Sequence, residues 1–140
     1  LRIQRIKLSE EGMNRFFGSL EARIMDIVWK HEEVTIKDVQ SLLDDDLSFN
    51  TVMTVMNRLY EKGHLRKSIT GKGRARSTCF QPVQTKEQFI QEQTRIVTEG
   101  LVQEYGHLIV NQLVDAVKQA DPQLMCLLEA RLDEWKRGRS

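Results

Sequence analysis

The sequence predicts a mainly α chain with a small β-hairpin, and three observations carry that expectation. Three short helical periods occupy the first 62 residues, an alternating stretch around a glycine-bearing turn follows, and two amphipathic stretches fill the remainder. In the first helix, residues 19–31, Leu20, Ile24, Ile27 and Val28 recur at helical spacing behind Ser19, a suitable N-cap. Thr35 caps a second helix carrying Ile36, Val39, Leu42 and Leu43, and the run Asp44, Asp45, Asp46 opposes the macrodipole at its end. Ser48 caps a third, which runs to Lys62 with Val52, Val55, Met56, Leu59 and Tyr60 inward; Gly63 then suits a left-handed C-terminal cap.

The period changes after Gly63. His64–Thr70 and Ala75–Gln81 read as two strands, with Gly71, Lys72 and Gly73 as the turn between them. Three helices followed by such a hairpin give the order of a winged helix-turn-helix domain. From Thr85 the pattern is helical again through Gln119, with Phe89, Ile96, Val97, Leu101, Tyr105, Leu108, Ile109, Val110, Leu113, Val114 and Val117 apolar. Asp121 and Pro122 restart a last helix bearing Leu124, Leu127, Leu128, Leu132 and Trp135. These helices hold more apolar surface than a winged domain covers, so a second copy of the chain is expected to bury it, forming a C-terminal helical dimerisation domain. Leu101, Tyr105, Leu108, Ile109, Leu113, Val117, Leu124 and Leu128 are the expected dimer residues. Folding of both helices back onto their own chain as a monomer is the alternative.

The formal net charge of +1 hides an asymmetry. Residues 1–46 carry seven Lys and Arg against ten Asp and Glu, residues 47–81 carry seven against the single Glu61, and residues 83–140 carry seven against nine. A basic block between acidic segments suits a surface that meets a polyanion, although a solvated charged face has the same composition. The architecture gives the block a use. With the apolar stripe of the third helix inward, the opposite side presents Asn50, Thr51, Met53, Thr54, Asn57 and Arg58. Asn pairs with adenine edges, Thr and Met touch thymine methyls, and Arg bonds guanine or phosphate. Asn50, Thr51, Met53 and Thr54 are expected on bases, and Asn57 and Arg58 on the backbone. Lys72, Arg74 and Arg76 alternate along the wing and would project to one side of an extended strand toward phosphates or a minor groove. Cationic edge residues also guard against edge pairing.

Other functions find little purchase. His31, His64 and His107 show no zinc spacing, no glycine-rich phosphate loop precedes a helix, and no nucleophile elbow or dinucleotide fingerprint occurs. No catalytic residue, metal or cofactor is expected. A winged module that binds protein would more often present an apolar or acidic face than this polar, basic one. Cys79 and Cys126 match neither a disulfide framework nor a metal motif and are expected as reduced, partly buried thiols; a redox role for Cys79 is a weaker reading than burial. No apolar run suffices to span a bilayer and no secretory signal is seen, so a cytoplasmic chain without membrane contact is expected.

Three segments carry a family resemblance: Gly18-Ser-Leu-Glu-Ala-Arg-Ile-Met-Asp-Ile-Val-Trp29, Thr35-Ile-Lys-Asp-Val, and Asn50-Thr-Val-Met-Thr-Val-Met-Asn-Arg-Leu-Tyr-Glu-Lys-Gly63. Together they resemble the penicillinase and methicillin-resistance repressor family, which includes copper-responsive members. The resemblance implies a homodimer of winged-helix subunits that occupies palindromic double-stranded operator DNA and blocks transcription. It also implies that Trp29 is a core residue, that Arg58 lies on the DNA side, and that a sensor protease or another inducer releases the repressor. This sequence lacks the Asn-Phe dipeptide at which β-lactam-responsive members are cut, and Cys126 alone stands where copper-responsive members carry Cys-X-Cys pairs. Neither release route is therefore expected here. The expected organisation is a winged-helix DNA-binding domain over 1–82, with an N-terminal extension over 1–17 that forms a strand or basic arm, and a helical dimerisation domain over 83–140.

Overall fold

A computed structural model describes residues 6–7, 10–43 and 46–139. It contains α1 (Ser19–His31), α2 (Ile36–Leu42), α3 (Phe49–Glu61), β1 (Leu65–Thr70), β2 (Ser77–Pro82), α4 (Lys86–Gln119) and α5 (Pro122–Arg139), with 3-10 turns at Gly12–Arg15 and Gly73–Ala75. The mainly α chain with one small hairpin is thus observed, in winged-helix order. Of the extension expected over 1–17 as a strand or arm, residues 1–5, 8 and 9 lie outside the described residues, as do Asp44 and Asp45 of the acidic run, while Gly12–Arg15 forms a 3-10 turn and Phe17 is buried in the core. The chain forms two compact units, residues 1–93 and 94–140.

Local chemistry sets most helix ends. Thr35 Oγ1 accepts the Asp38 N–H at 3.1 Å while Asp38 Oδ2 accepts the Thr35 N–H at 2.9 Å, a reciprocal capping box. Ser48 Oγ accepts the Thr51 N–H at 3.1 Å, and Gly63 after α3 takes the left-handed φ of 88°. Asp121 Oδ1 accepts the Gln123 N–H at 2.9 Å, one residue after Pro122 starts α5. The first helix departs from expectation: its N-cap is Gly18, and Ser19 is already helical. The Glu21 carboxylate reaches back to accept the Gly18 N–H at 3.2 Å, so the cap residue's own side chain is dispensable.

One core fills the first unit. Ile24, Met25 and Val28 of α1, Val39 of α2, Val52, Met56 and Leu59 of α3 and Phe80 of β2 are almost wholly excluded from solvent. The strands pair antiparallel from Leu65 opposite Pro82 to Thr70 opposite Ser77. The outer edge of β2 is also used, because Val34 and Phe80 exchange backbone hydrogen bonds at 3.0 and 2.7 Å. Two residues expected inside lie outside, Leu42 at 46% and Tyr60 at 42% exposure. Tyr60 falls at the margin of the α3 stripe, where its ring takes the Lys67 ammonium at 4.4 Å from the centroid. Cys79 is buried, with Thr70 Oγ1 at 3.5 Å from its sulfur, whereas Cys126 is exposed and not partly buried as expected. Cys126 lies on α5, a helix none of whose described residues is buried, so the thiol is left in solvent.

The first turns of α4 belong to this core. Thr85 and Gln88 form a second reciprocal box, at 3.1 and 2.9 Å. Phe89 then enters an aromatic cluster with Phe16, Phe17, Trp29 and His64 at centroid separations of 5.6, 5.2, 5.7 and 5.8 Å. Trp29 packs on the core and donates its indole N–H to the Gln84 carbonyl at 3.0 Å.

His64, 4% exposed, faces Phe17 and Phe89, and its Nε2 has no hydrogen-bond partner. Burial pushes its pKa below the ordinary value, the Lys62 charge adds to this, and Glu21 opposes it. The unfolded chain therefore binds a proton that the folded chain resists. This contribution to stability is complete above the unfolded value of about 6.5 and is lost as pH falls below it toward the depressed folded value. Thermal midpoints measured from pH 7.5 down to 5 are expected to fall more steeply for the parent than for His64→Gln; parallel curves would contradict the assignment.

Candidate nucleic-acid interface

The inward face of α3 is fixed by Val52, Val55, Met56 and Leu59, all buried, which leaves the other side of the helix to solvent. There Asn50, Thr51, Thr54 and Arg58 line a shallow groove, together with the residual surface of Val55. Four of the six expected α3 residues are brought together in it. Met53 and Asn57 are half-buried on the flank and do not line the groove. Val55 is the residue that sequence reasoning missed. Its position directly after Thr54, at the margin of the apolar stripe, was the available signal.

The groove's polar groups are partly committed. Thr54 Oγ1 donates to the Asn50 carbonyl at 2.8 Å, and Thr51 Oγ1 lies 2.9 Å from Ser48 Oγ. Among the described residues the Asn50 amide and the Arg58 guanidinium have no hydrogen-bond partner, and both residues are exposed.

The wing differs from its expected geometry. Ala75 lies in the 3-10 turn Gly73–Ala75, and β2 begins only at Ser77. Lys72, Arg74 and Arg76 therefore do not alternate along a strand; all three sit in the loop between the strands, exposed. The reason is the tight chain reversal at Gly71. Its φ is +79°, and a Cβ there would overlap the Ala75 carbonyl oxygen, so the chain folds over itself before pairing begins. A loop spreads its cations in several directions, where a strand would aim them to one side. In β1, Arg66 is exposed, while the Lys67 ammonium lies over the Tyr60 and Phe80 rings at 4.4 and 5.6 Å.

In the second unit, α4 is interrupted at Tyr105, with φ −127° and ψ 29°, immediately before Gly106. Leu101, Tyr105, Leu108, Leu113 and Leu124 are exposed at 39, 47, 64, 50 and 45%, and Ile109, Val117 and Leu128 are half-buried. Val110, Leu127, Leu132 and Trp135 add further exposed apolar surface. Among the described residues there is no grouping of His, Cys, Asp and Glu that could hold a metal ion, and no helix is long and apolar enough to cross a membrane.

The fold is that of a winged-helix regulator with a helical C-terminal part. The sequence model of the family described as Penicillinase repressor matches residues 17–134, and the chain belongs to that family. It is accordingly a transcriptional repressor, with a regulatory role. No curated protein matches the chain.

Proposed function

We propose that this repressor binds a palindromic double-stranded operator as a homodimer, with α3 in the major groove and the wing tip on the backbone, until an inducing signal releases it. The reading rests on one observation above all: the solvent side of α3 joins Asn50, Thr51, Thr54 and Arg58 in one groove that holds no carboxylate. Amide, hydroxyl, methyl and guanidinium groups are those that engage base edges and phosphates. Lys72, Arg74 and Arg76 add three cations in the loop that follows α3 and β1. Residues 83–140 supply the dimerisation domain, where the exposed leucines of α4 and α5 meet those of a second copy.

A fluorescence-anisotropy titration against a randomised pool of palindromic duplexes at two salt concentrations, with oligomeric state measured on the same sample, tests this. Salt-sensitive, sequence-selective binding by a dimer is expected; a folded dimer with no selectivity would overturn it. Within that assay, Arg58→Ala is expected to weaken all duplexes alike and to reduce the salt slope by about one. Asn50→Ala is expected to relax preference at one base pair by about 1–3 kcal/mol. Uniform loss from Asn50→Ala would mean that α3 docks in another orientation.

A further inference from the structure

The groove on α3 is lined by methyl groups between two polar ends. Thr51, Thr54 and Val55 form its middle, Asn50 lies at one end and Arg58 at the other. A threonine can read DNA through its hydroxyl or its methyl, and here the hydroxyls have local work. The Thr54 hydroxyl proton is donated to the Asn50 carbonyl at 2.8 Å, which holds the oxygen against the helix backbone and leaves the Cγ2 methyl as the free end of the side chain. Thr51 Oγ1 pairs with Ser48 Oγ at 2.9 Å, and that same oxygen accepts the Thr51 N–H at 3.1 Å, so the hydroxyl is held by the N-cap. Val55, 8% exposed, can offer only methyl surface. Thus the Thr54 hydroxyl has no proton left to donate to a base edge and keeps only acceptor capacity, while the methyls of Thr51 and Thr54 carry no such commitment.

We propose that this repressor selects its operator through the C5-methyl groups of thymine, read by the methyls of Thr51 and Thr54, with Asn50 and Arg58 making the flanking polar contacts. The inference rests on the reading of α3 as the DNA-facing helix. Thymine is the base that presents a methyl group in the major groove, and a threonine methyl is a fitting partner for it. The contact is apolar and releases no counterions, so its effect is independent of salt, in contrast to that of Arg58.

The test uses the full chain and the tightest duplex recovered from the palindromic pool, resynthesised with each half-site thymine replaced in turn by deoxyuridine, which removes the methyl alone. For the parent, at least one replacement is expected to weaken binding about fourfold, the value of one buried methyl, equally at both salt concentrations. Thr54→Ser and Thr51→Ser keep the hydroxyls and their local hydrogen bonds at exposed positions. Each removes a methyl contact from both half-sites of the palindrome, so it is expected to weaken binding to the thymine duplex by about the square of that fourfold factor, roughly 16-fold, and to abolish the uracil penalty at its own thymine. A selective repressor indifferent to every replacement would overturn the inference and leave operator binding standing. A uracil penalty of the same size in both serine variants would overturn the assignment of Thr51 and Thr54. Absence of any selective duplex would instead remove the operator reading, and this inference with it.

Discussion

Leu108→Asp is expected to convert the repressor to a monomer and to weaken operator binding by about 10²–10⁴-fold, the gain that linking two half-site readers provides. Leu108 is the most exposed of the expected dimer residues, at 64%, so within a single chain the change removes few contacts. In a symmetric pair the same substitution enters twice, and each carboxylate would be buried opposite apolar neighbours without a partner. Leu113→Asp, at a position 50% exposed, should behave alike. Light scattering on the purified variant gives the mass, and anisotropy on a full palindrome and on a single half-site gives the affinity. The full-site affinity is expected to fall to the half-site value. A variant that remained dimeric would remove Leu108 from the interface, and a monomer that kept full affinity would show that pairing of half-sites does not drive binding.

Phe89→Ala is expected to cost about 3–5 kcal/mol, a large part of the roughly 5–15 kcal/mol that holds a domain of this size together. Phe89 is 1% exposed and touches the rings of Phe16, Phe17, Trp29 and His64, so truncation opens a cavity that four rigid rings cannot easily close. The neighbouring Ile90, 39% exposed, provides the contrast: Ile90→Ala should cost a small fraction of that amount. Urea denaturation of the two variants measures the difference. A loss below about 1 kcal/mol for Phe89→Ala would mean that the first turns of α4 contribute little to the core.

Much of this organisation can be read locally. Thr35 followed three residues later by Asp38 makes the capping box observed at α2, Ser48 caps α3, and Gly63 takes the left-handed conformation that ends the helix's reach. The stripe Val52, Val55, Met56 and Leu59 marks the buried side of α3, and therefore its solvent side as well. The readings that failed depend on neighbours distant in sequence or on loop geometry. Ser19 yields the cap to Gly18 because the Glu21 carboxylate reaches back to that residue. Tyr60 leaves the core because the Lys67 ammonium, across the helix–strand junction, gives its ring a partner in solvent. The wing cations lose their strand alternation because Gly71 folds the tip over Ala75.

The sequence by itself determined the order and approximate ends of the helices, the hairpin after α3, and which side of that helix faces solvent. Each of these follows from a side chain's effect on its own backbone within a turn or two. Only the tertiary structure decided that Phe89 closes an aromatic cluster against Phe17, Trp29 and His64, that Val55 joins Thr51 and Thr54 in one groove, and that α4 breaks at Tyr105. Periodicity gives the phase of a helix face but not the identity of what packs against it, and packing is settled by shape complementarity among residues far apart in the chain.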